Sequence, residues 1–236
     1  MSARRKRGLE VKYRKPPVLP RLLWDVATFL SRFTRPEHVS TAPDLRLFVS
    51  AVGVYLSYIF GWRDDTAARL CLSDISFDCA SGLCLFSERF CKGAFSRADQ
   101  LYRRLDYDAR CAPGLAGALG LLLSNDLRAR LPDQFLTVVC GGKRLLQGAL
   151  QEVLASVAAT GVVVGNLDMR ALYSAHCLRV GTAAALIKLN LSEPAMKAWV
   201  GWAPNSSIWS EYARNPVFFD WEVDFIRRVF SQALPA

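Results

Sequence analysis

The stretch from Leu47 to Trp62 carries no charged residue and is apolar almost throughout. A run of this kind stays in water only at a large free-energy cost, so it has to be enclosed. It is short for a bilayer span, which takes about 20 apolar residues. Ser50, Gly53, Ser57 and Gly61 also interrupt it. The reading is a buried core helix from about Asp44 to Phe60, with Thr41 or Asp44 as its cap and a membrane segment as the lesser alternative.

Around this helix the pattern predicts further helices and one small sheet. Arg21 to Arg35 reads as a helix stopped by Pro36. Thr66 to Leu72 reads as another. Ile75 to Asp78, the turn Ala80-Ser81-Gly82 and Leu83 to Arg89 read as a β-hairpin. A second turn at Cys91-Lys92-Gly93 leads to a third strand within Phe95 to Leu105. Helical periodicity then returns over roughly 113–124, 143–160, 177–190, 193–200, 205–213 and 219–233. The segments between carry Gly or Pro, among them Gly141-Gly142, Pro194, Pro204 and Pro216. The expected class is α+β, mainly α, with a small three-stranded antiparallel sheet.

Residues 1–20 are basic and proline-rich, and are expected to form a flexible arm. Arg4, Arg5, Lys6 and Arg7 are its DNA-contact candidates, in a chain with a net charge of +9. A basic balance favours polyanionic partners. The arm does not lead into an apolar secretory core. The seven cysteines, Cys71, Cys79, Cys84, Cys91, Cys111, Cys140 and Cys177, include no C-x-x-C pair. The only histidines are His38 and His176. Neither a metal site nor any other cofactor is expected, and the thiols read as small buried hydrophobes.

The sharpest local signal is Ser174-Ala175-His176-Cys177-Leu178-Arg179-Val180-Gly181. His176 and Arg179 are three apart at a helix start, so they share one face. About twenty residues later comes Gly201-Trp202-Ala203-Pro204-Asn205, followed by Trp209, Ser210, Glu211 and Tyr212. This string resembles the second signature block of the tyrosine recombinases (phage-integrase type), closest to the Cre type. The upstream block of that family resembles Gly61-Trp62-Arg63, with Leu70 at plus seven and Asp74-Ile75 opening a strand. Lys92 stands in the turn where the family carries a lysine. The likeness spans about residues 45–214.

The resemblance implies a helical catalytic domain of the DNA breaking-rejoining enzyme fold over 21–236. It implies cleavage of double-stranded DNA by Tyr212 through a 3′-phosphotyrosyl link, without metal or ATP. Arg63 and Arg179 would clamp the phosphate oxygens by charge-assisted hydrogen bonds. Lys92 would protonate the leaving 5′-oxygen, and His176 would assist proton movement at the tyrosine. Trp202 would give its indole N–H to the phosphate and pack the site. Self-association on DNA is implied too, with 217–236 as a candidate exchange helix. The alternative is docking of that amphipathic segment, with Phe219, Val223, Ile226 and Phe230 at helical spacing, on its own domain. No membrane and no small-molecule cofactor are expected. The location would be intracellular: nuclear in a eukaryote, cytoplasmic in a prokaryote.

The chain departs from the family at three points. Thr66 occupies the place of a carboxylate, and Asp64 and Asp65, on a helix, are expected to point elsewhere. Trp202 and Tyr212 are ten residues apart rather than nine. The core-binding domain that precedes the catalytic domain is expected to be absent or truncated. Two other readings therefore stand beside active recombination: a catalytically decayed DNA-binding relative of a mobile element, and a helical interaction protein with a chance motif match.

Overall fold

The computed structural model describes residues 16–78, 83–88, 101–106, 115–141, 145–159, 173–207 and 217–230. Among these residues the protein is mainly helical, with one small antiparallel sheet. The apolar run becomes helix α2, Ala42–Phe60, with every side chain from Phe48 to Phe60 buried. Thr41 caps it by accepting the Asp44 N–H, and Pro43 sits in its first turn, where no N–H is missed. Gly61 ends it in the left-handed region, at φ 63°, where a side chain would be strained. By length and composition α2 could cross a membrane, but 72% of that stretch is buried inside the protein.

Four helices enclose α2: α1 (Pro20–Leu30), α6 (Phe135–Cys140), α7 (Leu145–Ala159) and α8 (Ala175–Lys188). Each large side chain that α2 buries contributes about 1.5–3 kcal/mol. Tyr58 and Thr182 lock α2 to α8 in both directions. The Tyr58 hydroxyl donates to the Gly181 carbonyl, and the Thr182 hydroxyl donates to the Tyr58 carbonyl. Helix α9 (Glu193–Val200) closes the end of α2, where the Trp199 indole N–H donates to the Ile59 carbonyl at 2.8 Å.

The sheet runs in the order β1 (Ile75–Asp78), β2 (Leu83–Glu88), β3 (Leu101–Asp106), antiparallel throughout. Along β2, Cys84 and Phe86 are buried and Leu85 is exposed, the period of two of a half-covered sheet. Phe86 packs against Phe60 and Trp62, which joins the sheet to the end of α2.

Several boundaries differ from those read in the sequence. The sequence pattern extends the arm to residue 20, but Val18 is buried and its N–H donates to the Cys177 carbonyl at 3.0 Å, so the chain is packed there on α8. Residues 1–15, with Arg4, Arg5, Lys6 and Arg7, lie outside the described residues. Helix α1 ends at Leu30 rather than Arg35; the Ser31 hydroxyl turns back to the Thr28 carbonyl, and Pro36 opens a separate turn of 3-10 helix. Helix α3 is Asp64–Ala68 rather than 66–72, because Arg63 is extended and two aspartates favour the first turn of a helix. Helix α4 is Leu115–Leu122, as the periodicity predicts. Helix α5 (Asn125–Arg130) and helix α6 were not anticipated at all. Residues 205–207 are not helical, and the remainder of the helix predicted over 205–213 falls outside the described residues.

The last described helix, α10 (Asp220–Val229), packs on its own chain. Glu222, fully buried, takes hydrogen bonds from the Arg21 backbone N–H and the Arg21 Nε, each at 3.0 Å. Phe225, Ile226, Val229 and Phe230 face inward, whereas Phe219, expected on the apolar stripe, is exposed. Phe219 lies beneath the Arg21 guanidinium instead, 4.9 Å from its ring centre.

Candidate active site

Arg63 and His176 come from opposite halves of the sequence and line one open cleft of about 470 Å³ with Arg179. Three elements make its walls: the start of α3, the first turn of α7 and the first turns of α8. Arg63 is the residue before α3 and Arg179 lies one turn into α8. The turn at Gly61 brings them together. It ends α2 and reverses the chain, and its carbonyl accepts a hydrogen bond from Arg179.

Arg179 is only 5% exposed, an unusual burial for a guanidinium. Besides the Gly61 carbonyl, Trp202 contacts it. The guanidinium lies 5.3 Å from the centre of the indole, a cation–π contact. Trp202 follows Gly201, which ends α9 in the left-handed region, and its N–H donates to the Lys197 carbonyl at 2.8 Å. Lys197 also holds the next turn, donating to the Pro204 carbonyl at 2.7 Å and pairing with Glu193. Trp202 therefore stands behind Arg179 and is not part of the cleft wall.

His176 is exposed at the start of α8. Gly181, five residues on, has a packing duty. A Cβ there would run into the Val18 carbonyl and come within 2.7 Å of the Tyr58 ring. The glycine of the motif is thus what lets α8 seat against α2 and the segment that precedes α1.

Asp64 and Asp65 were expected to point away, but both line the cleft. The reason is the shifted start of α3, which puts them in its first turn. The Asp64 carboxylate accepts the Leu146 N–H at 2.9 Å and so caps α7 from another helix. The Asp65 carboxylate accepts the Thr66 N–H. Thr66 itself is not in the wall. The cleft thus carries two guanidinium groups and two carboxylates.

Lys92 and Tyr212 lie outside the described residues, so the cleft is described without them. Among the described residues no group of three or more His, Cys, Asp or Glu is placed to hold a metal ion. The described cysteines, Cys71, Cys84, Cys140 and Cys177, are reduced. Burial pushes the Cys84 thiol up to about 12, which leaves it without nucleophilic character. No protein-family model, curated protein or solved structure matches the chain.

Proposed function

We propose that this chain is a tyrosine-recombinase-type enzyme of the DNA breaking-rejoining fold. The observation that carries the proposal is the common cleft of Arg63, His176 and Arg179. Residues 116 apart in sequence (179 minus 63) meet there, and both are of the type that grips a phosphate. A chance motif match gives no reason for them to meet.

In the proposed reaction, Arg63 and Arg179 hold the non-bridging oxygens of a DNA phosphodiester. The phenolic oxygen of Tyr212 attacks phosphorus, and its proton passes toward His176. The bond to the 5′-oxygen breaks as Lys92 supplies that oxygen with a proton. The product is a 3′-phosphotyrosyl link, which a free 5′-hydroxyl reverses, so no external energy source is consumed. Trp202 supports the step by backing Arg179. Arg4, Arg5, Lys6 and Arg7 would add phosphate contacts outside the cleft.

A DNA-binding relative without catalysis is the second reading. Thr66, in the place of a carboxylate, and the ten-residue step from Trp202 to Tyr212 favour it. The two separate in one experiment. Duplexes of random sequence are first enriched by binding to the protein, then given a single nick to trap cleaved product. The wild-type chain is expected to yield a DNA adduct that survives detergent, and Tyr212→Phe to yield none. Salt-sensitive binding without an adduct would favour the second reading. An adduct that persists in Tyr212→Phe would reject Tyr212 as nucleophile.

A further inference from the structure

The first backbone N–H of α8 is held from a different helix. Gln147, in the first turn of α7, accepts the Ala175 N–H on its side-chain oxygen at 3.0 Å. The same amide donates through Nε2 to the Tyr173 carbonyl at 3.2 Å. Gln151, one turn later, donates to that carbonyl as well, at 3.0 Å. Two amides thus grip the turn of chain that leads into α8, on both sides of Ser174. His176 is the next residue after Ala175.

The neighbouring residue completes the arrangement. Leu146 gives its N–H to Asp64, which adjoins Arg63. A single turn of α7 is therefore bonded to both halves of the cleft: through Leu146 to the Arg63 side, and through Gln147 to the His176 side. The side chain at 147 fixes where α8 begins relative to α3. An apolar side chain of the same length would keep the packing and lose the grip.

We infer that Gln147 is a positioning residue that sets the location of His176 in the cleft. Its effect on DNA cleavage rests on the recombinase reading; its effect on the imidazole does not. The protein has only two histidines, His38 and His176, which makes the second easy to observe. Full-length protein labelled with ¹³C at histidine Cε1 gives two resonances, assigned with His38→Gln. Spectra are taken at about pH 8.5, where an ordinary imidazole is neutral. Gln147→Met is expected to move or broaden the His176 resonance and leave that of His38 in place. Gln147→Glu keeps the acceptor for Ala175 and loses the donor to Tyr173, so its His176 resonance is expected between the other two. It also carries the test if the Met variant does not fold. An unmoved His176 resonance in a folded variant would overturn the inference. With nicked DNA, Gln147→Met is expected to slow adduct formation about tenfold with its affinity for DNA unchanged, as misplacement of a proton-handling group would do. Should the wild-type chain form no adduct, the recombinase reading fails while the spectra still decide the role of Gln147.

Discussion

Arg179 donates to the carbonyl oxygen of Gly61, the residue that ends the central helix two positions before Arg63. One arginine is thereby fastened to the turn that delivers the other. The bond also satisfies a carbonyl at a helix end, where intrahelical partners run out.

This anchoring gives a test of whether Arg179 serves the fold or the cleft. Arg179→Met removes a charge that is costly to bury, but also removes the partner of the Gly61 carbonyl. The two effects oppose each other, and stability in urea is expected within about 1 kcal/mol of wild type. DNA adduct formation is expected to fall by about a hundredfold or more, since the phosphate clamp is lost. Arg179→Lys keeps a charge but not the planar fork, and should restore little of the rate. A loss of stability above about 3 kcal/mol in the Met variant would mark Arg179 as a structural residue.

Gly181 carries the opposite prediction, a structural one. A methyl group at 181 must displace the Val18 carbonyl or the Tyr58 ring. Overpacking of this kind typically costs about 1–3 kcal/mol, and backbone yields less readily than side chain. Gly181→Ala is expected near the upper end, measured by urea denaturation. Full stability in Gly181→Ala would mean that the glycine is required for something other than packing.

Much of this architecture was legible because it rests on periodicity. The uncharged apolar run reads as a core helix, and it is buried from Phe48 to Phe60; the strand and turn residues from Ile75 onward read as a hairpin, and β1 and β2 pair antiparallel. Helices α5 and α6 left no such trace. Among the six residues of α5 only Leu127 is buried, and α6 ends against glycine that reads as linker. The cleft divides the same way. His176 and Arg179 are neighbours on one helix, so their shared face follows from spacing alone. Gln147 and Asp64 act on backbone N–H groups 28 and 82 residues away, and no local pattern encodes such a partner. Helix α3 starts two residues before the point the sequence pattern indicates, and this shift places Asp64 and Asp65 in the cleft wall.

The C-terminal helix should depend on the Arg21–Glu222 pair. The Glu222 side chain is fully buried, while Arg21 keeps about a third of its side chain exposed (35%). Removing the arginine strands a carboxylate whose other described donors are the backbone N–H groups of Arg21 and Phe219. Arg21→Met is expected to cost about 2 kcal/mol, less than a fully enclosed pair because solvent reaches the arginine. The double variant with Glu222→Gln should recover about 1 kcal/mol of that loss. Strict additivity in the double-mutant cycle would mean that the pair contributes nothing through charge.

Asp25 gives a pH-dependent prediction. It sits on α1 between Trp24 and Val26, and burial raises its carboxyl from 3.8 to about 6. The folded state therefore holds this proton more tightly than the unfolded chain. Between about pH 4 and pH 6 the folded form binds more protons, so stability falls as pH rises through that window. Above it the ionised carboxylate is a standing cost. Asp25→Asn removes that cost and is expected to stabilise the protein by about 1–2 kcal/mol at pH 7, after allowance for partial solvent contact. The gain should shrink as pH falls and vanish below about pH 3, where the wild-type carboxyl is protonated in both states. Thermal melts of the two proteins across this range measure the difference directly. A gain that is the same at pH 4 and pH 7 would trace the effect to packing or helix propensity rather than to the buried charge.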